Sequence, residues 1–133
     1  MATWQDVRDI ALALPGVTET VGWGSAQWRT GKGLVVWDRP LRAKDREHLG
    51  AAAPTGDILG ARVADEGAKA ALIADSPEIY FTIPHFDGYP AVLIRLGAIG
   101  RDELAEVITD AWLLRVSKRA AAAYLAEHGG QPR

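Results

Sequence analysis

The sequence predicts an α+β fold: an antiparallel sheet of about five strands backed by helices. Three observations predict it. Two pairs of β-rich runs are each joined by a short stretch of turn residues, so neighbouring strands run antiparallel. Segments with helical periodicity stand at both ends of the chain and between the strand pairs. At 133 residues the chain suits one domain with a sizeable core.

Thr3 is the expected N-cap of a helix over Trp4 to Leu14, because Trp4, Val7, Ala11 and Leu14 share a face that Ile10 widens. Pro15-Gly16 stops it. Val17 to Ser25 reads as a loop, with Gly22 and Gly24 around Trp23. Ala26–Thr30 and Leu34–Asp38 read as strands joined by Gly31-Lys32-Gly33. Trp28 and Trp37 are expected to pack near each other across that hairpin.

Arg39 to Asp57 is an excursion, with Arg39, Arg42, Lys44 and Arg46 interleaved with only Asp45 and Glu47. Ala43 to Leu49 is expected as a short helix ended by Gly50, followed by a flexible return over Ala51 to Gly56. A third strand covers Asp57 to Val63, with Leu59, Ala61 and Val63 on one face. Asp65 caps a helix from Glu66 to Ala74, which Ser76-Pro77 ends. Strands follow at about Tyr80 to Ile83 and Ala91 to Leu96.

Arg101 to Leu114 carries the clearest helical stripe, in Leu104, Val107, Ile108, Ala111 and Trp112. Ser117 caps a last helix through Ala120 to Glu127. Residues 1–128 then form a single domain and 129–133 a frayed, flexible tail. The order is α-β-β-β-α-β-β-α-α, apart from the short helix of the excursion.

Hydrophobic content of 48% and charged content of 24% are those of a soluble globular protein. No apolar run reaches membrane-helix length and no signal-peptide pattern opens the chain, so no membrane partner is expected and the expected location is cytoplasmic. With no cysteine, disulfides, thiolate catalysis and Cys-ligated metals are excluded. A net charge of −2 lacks the global basic balance of a nucleic-acid binder, so any such binding has to come from a local basic patch.

Pro84-His-Phe-Asp-Gly-Tyr-Pro90 is the densest cluster of special residues. Its prolines hold Ile83 and Tyr89 extended, and Asp87-Gly88 supplies a turn. The loop should therefore present His85, Asp87 and Tyr89 rigidly, for recognition or for general acid/base work. Alternatively, Asp87 caps the turn, His85 bonds the backbone, and Phe86 and Tyr89 anchor the loop. His85 and Asp87 fall short of the three protein ligands of a catalytic zinc, so no metal or other cofactor is expected. Ser25, Ser76 and Ser117 sit in no nucleophile motif. Two basic clusters remain: Arg115, Lys118 and Arg119 around the start of the last helix, and Arg42, Lys44 and Arg46 in the excursion. Each is either a solvated corner or a phosphate-binding patch.

The chain resembles the MmcQ/YjbR family. The resemblance rests on Trp4-Gln-Asp-Val, Leu14-Pro-Gly16, the Trp23-Gly24 turn, the Trp28 strand, Thr82 through Arg95, the helix from Glu103-Leu to Asp110-Ala-Trp112, and Lys118-Arg119. It implies a compact frataxin/CyaY-like fold. The family is commonly labelled DNA-binding, through a proposed double-wing arrangement of hairpins. Iron chemistry is not expected, since the first helix offers only Asp6 and Asp9. The expected function is a non-enzymatic DNA-binding module that contacts phosphates in a salt-dependent, weakly sequence-specific way. The alternative is a small-ligand or protein-interaction domain that uses His85, Asp87 and Tyr89 with nearby tryptophans.

Overall fold

The computed structural model describes residues 1–31 and 33–128. Among these, five helices occur: α1 (Trp4–Leu12), α2 (Ala43–Leu49), α3 (Glu66–Asp75), α4 (Arg101–Leu113) and α5 (Lys118–Glu127). The strands are β1 (Thr18–Gly22), β2 (Ser25–Thr30), β3 (Gly33–Asp38), β4 (Ile58–Arg62), β5 (Tyr80–Phe81) and β6 (Ala91–Arg95). They form one antiparallel sheet in the order β1-β2-β3-β4-β6-β5. The α+β class holds. Lys32 of the β2–β3 turn and the expected tail at 129–133 lie outside the described residues.

The additional strand is β1, in the stretch expected as a loop. It is an edge strand whose Thr18, Glu19, Thr20 and Val21 are all exposed, so no apolar alternation marks it. It pairs with β2 from Thr18↔Arg29 to Gly22↔Ser25. The two residues of its hairpin, Trp23 and Gly24, have φ of 56° and 79°. Positive φ at both positions is what a two-residue type I′ turn demands.

The helix starts are local events. Thr3 Oγ1 accepts from Asp6 N at 3.2 Å while Asp6 Oδ2 accepts from Thr3 N at 2.9 Å, a reciprocal cap. Asp65 and Ser117 cap α3 and α5 by accepting from Ala68 N and Ala120 N, as their positions predict.

Alternation along the strands divides the apolar interior in two. Val92 and Ile94 of β6 face one side, Ala91 and Leu93 the other. On the first side Val7 and Ala11 of α1 and Leu104, Ile108, Ala111 and Trp112 of α4 pack on Trp28, Val36, Leu59 and Ala61. Residues of α3 and α5 join the same cluster. On the second side Trp37, Ile58, Phe81, Ile83, Phe86 and Leu93 form a smaller cluster, covered by Leu41 and by Leu49 of α2. Thus α2 lies across the sheet from the other helices.

Trp28 and Trp37 do not pair across their hairpin. Trp28 opposes Val36 and Arg29 opposes Leu34, which leaves Val35 as the extra residue of a β-bulge. Val35 and Val36 therefore both serve the helix-covered side, and Trp37 emerges opposite Trp28. Trp28 instead stacks on Trp4 of α1, with ring centroids 6.2 Å apart and planes 15° apart. Trp37 rests on Gly60 of β4, where any Cβ would collide with its indole.

Candidate functional site

The less covered face of the sheet carries the candidate site. Just beyond β3 the Arg39 backbone N–H donates to Ile58 O at 2.9 Å, so the ladder runs one residue past the strand. Arg39 is only 6% exposed. Its Nη1 donates to Pro40 O at 2.5 Å and to Asp45 Oδ2 at 3.2 Å. Its guanidinium carbon lies 5.4 Å from the Phe86 ring centroid, within cation–π range. Asp45 Oδ2 also accepts from Arg42 N at 2.9 Å, so one carboxylate fixes both Arg39 and the first turn of α2. The Arg39 Nη2 is buried and has no hydrogen-bond partner among the described residues. Leaving a buried charged donor unsatisfied costs more than the roughly 1–3 kcal/mol of a neutral one.

The Pro84–Tyr89 loop stands against Arg39. Pro84–Phe86 is a 3₁₀ turn. A type II turn follows, with Asp87 at φ −60°, ψ 127° and Gly88 at φ +77°, closed by Tyr89 N donating to Phe86 O at 3.0 Å. Lys69 of α3, itself buried, donates its Nζ to Phe86 O at 2.9 Å and ties the loop down. Phe86 is the hub: its ring centroid lies 4.9 Å from His85, 6.1 Å from Tyr89 and 6.3 Å from Trp37.

Two adjoining cavities of about 560 Å³ each flank this hub. The first has Gln27 and Arg29 of β2 with Leu34 and Trp37 of β3 along the sheet, and Phe86, Tyr89 and Trp23 around them. The second lies between α2 and Pro84-His85 and includes Arg42, Lys44, Glu47 and His48. Arg39, Arg42 and His85 line both. Burial, reinforced by Asp57, pushes the Asp38 carboxyl on the first cavity above its ordinary range. Arg29 Nη1 donates to Gln27 Oε1 at 3.2 Å and orients the amide there.

Of the loop residues expected to act together, His85 and Tyr89 line the first cavity, whereas Asp87 is exposed and lines neither. The basic residues split. Arg42, Lys44 and Arg46 are exposed on or beside α2, past the Asp38 end of β3. Arg115 Nε donates to Leu34 O at 2.8 Å, at the opposite end of β3, and Lys118 and Arg119 are exposed in the first turn of α5. From Leu34 to Asp38 that strand spans about 13 Å, and α5 packs on one side of the sheet while α2 covers the other.

The sequence expectation named nearby tryptophans without assigning them and counted Arg39 only within a basic excursion; Gln27 and Arg29 received no binding role. The legible signal was Trp23, a bulky aromatic between two glycines at a turn. Arg39 gave none, because a charged residue beside proline reads as exposed loop.

A family model described as YjbR matches residues 12–114. The chain belongs to the YjbR family. Curated relatives are named uncharacterized protein Rv2570 of Mycobacterium tuberculosis and uncharacterized protein Mb2600 of Mycobacterium bovis. Each is 52% identical over 132 residues, spanning 97% of this chain and 100% of the relative. The solved structure of Deinococcus radiodurans protein DR2400, with domain DUF419, aligns at TM-score 0.66 and 19% identity. That alignment covers 97% of this chain and 89% of the other, a likeness of fold alone. No helix among the described residues of this YjbR-family chain is long and apolar enough to cross a membrane.

Proposed function

We propose that this YjbR-family protein is a small-ligand-binding domain whose site is the pair of cavities around Arg39 and the His85–Tyr89 loop. The observation that carries the reading is Arg39. A buried guanidinium with an unpartnered nitrogen, set against the Phe86 ring and lining cavities of ligand size, is costly to stability and useful for recognition. The competing DNA-binding reading draws on Arg42, Lys44, Arg46, Arg115, Lys118 and Arg119. One joined basic surface would favour it, and these residues instead form two clusters, one on α2 and one around the start of α5.

A thermal-shift screen against metabolites tests the proposal, because a ligand that binds the native state raises the melting temperature. The expected result is a shift that His85→Ala abolishes. A duplex titration run in parallel, with steep salt dependence and loss on charge removal at Lys118 and Arg119, would instead favour DNA.

A further inference from the structure

Resting on that small-ligand reading, we propose that the site takes an aromatic anion: a flat ring joined through a short linker to a carboxylate or a phosphate, held at its charged end by Arg39 and Arg42 and closed over by Trp23. Two independent observations support this ligand class.

The first is the chemistry at the junction of the cavities. Arg39, Arg42 and His85 are shared between them. The lining of the first cavity holds three arginines, Arg29, Arg39 and Arg42, against one carboxylate, Asp38. Arg39 spends Nη1 on Asp45 and Pro40, which leaves Nη2 with hydrogen-bond capacity unused. A guanidinium fork is suited to the two oxygens of a carboxylate or phosphate. The Phe86 ring lies against that guanidinium and Nη2 is itself buried, so an arriving anion meets the exposed Arg42 and His85 first.

The second observation is Trp23. It is 94% exposed, it lines the first cavity, and it holds a φ of 56° in a turn position that glycine, asparagine or aspartate fills more easily. Nothing in the fold rewards that choice, since the indole contributes to neither apolar cluster. A tryptophan placed against both its conformational and its solvation preference, lining a cavity together with Trp37, Phe86 and Tyr89, is explained by a flat partner. Stacking and cation–π contacts are the interactions these groups offer to such a ring.

The test is a matched-pair titration of the full chain by isothermal calorimetry, using indole-3-acetate against indole, adenosine 5′-monophosphate against adenosine, and inorganic phosphate and acetate alone. The expected result is that at least one ring-bearing anion binds tenfold or more tightly than both its neutral partner and the free anion. The member that does so tells a carboxylate source from a phosphate source. Arg42→Gln and Trp23→Gly, both exposed positions, should each weaken that binding tenfold or more with the fold intact by circular dichroism. Arg39→Lys keeps the charge beside Asp45 but removes Nη2 and should do the same. Equal binding of charged and neutral partners would overturn the inference and leave the small-ligand reading standing. Failure of all the ring-bearing anions would overturn the inference as well, while the metabolite screen decides the small-ligand reading separately.

Discussion

The two faces of one sheet are built to different standards. On the helix-covered face the polar atoms of the large buried rings are paired. Trp28 Nε1 donates to Glu19 at 3.0 Å, Trp112 Nε1 to Pro15 O at 2.9 Å, and the Tyr80 hydroxyl to Glu103 at 2.5 Å. On the other face Arg39 keeps an unpartnered nitrogen, Trp23 stands in solvent with a left-handed backbone, and Arg39, Arg62 and Arg95 lie over the rings of Phe86, Tyr89 and Phe81. Since alternate residues of the same strands supply both faces, the difference is not one of overall foldability. The first face holds the larger buried cluster and the second the smaller one. The second tolerates local costs of the kind that accompany binding sites.

That contrast can be broken most forcefully at Trp28. Trp28→Ala empties the site of a large buried ring stacked on Trp4 and should cost about 3–5 kcal/mol by urea denaturation. Ligand binding by the folded fraction should persist. A loss of binding disproportionate to the loss of folded protein would show that the faces are not separable.

A smaller effect is expected from pH, again on the closed face. Burial, followed by the hydrogen bond to Glu103, raises the Tyr80 hydroxyl well above its ordinary value of 10.0. A group raised in the folded state contributes its stability fully below its unfolded value and loses it as pH climbs toward the folded one. Stability should therefore fall above about pH 10, by at most about 1.4 kcal/mol per pH unit from this group. Tyr80→Phe should flatten that alkaline limb in denaturation curves. An unchanged limb would remove Tyr80 from the account.

The smallest effect is expected at Trp23. Trp23→Gly relieves the left-handed backbone and should change stability by no more than about 1 kcal/mol in either direction, because glycine's greater freedom in the unfolded chain offsets part of the relief. A loss of several kcal/mol in the same assay would mean that Trp23 has a structural role after all.

The closed face was largely legible in the sequence. The stripe Leu104, Ile108, Ala111 and Trp112, the caps at Thr3, Asp65 and Ser117, and the shared face of Leu59, Ala61 and Val63 all follow from local periodicity and capping chemistry. The turns of the Pro84–Tyr89 loop were legible too, through its prolines and Asp87-Gly88. The open face was not, for two physical reasons. An exposed edge strand such as β1 leaves no hydrophobic signature, and the bulge at Val35 reverses the face of every residue before it relative to those after it. Without that reversal, Trp28 and Trp37 read as one pair instead of markers of two opposite surfaces.

Those tryptophans supply the most direct test of the central claim. The five indole N–H signals, from Trp4, Trp23, Trp28, Trp37 and Trp112, can be followed together by nitrogen-15 NMR during titration with the ring-bearing anion that binds best. The account predicts that the Trp23 and Trp37 signals shift along one saturating curve while those of Trp28 and Trp112 stay in place. Saturating shifts at Trp28 or Trp112 with Trp23 and Trp37 unmoved would contradict it.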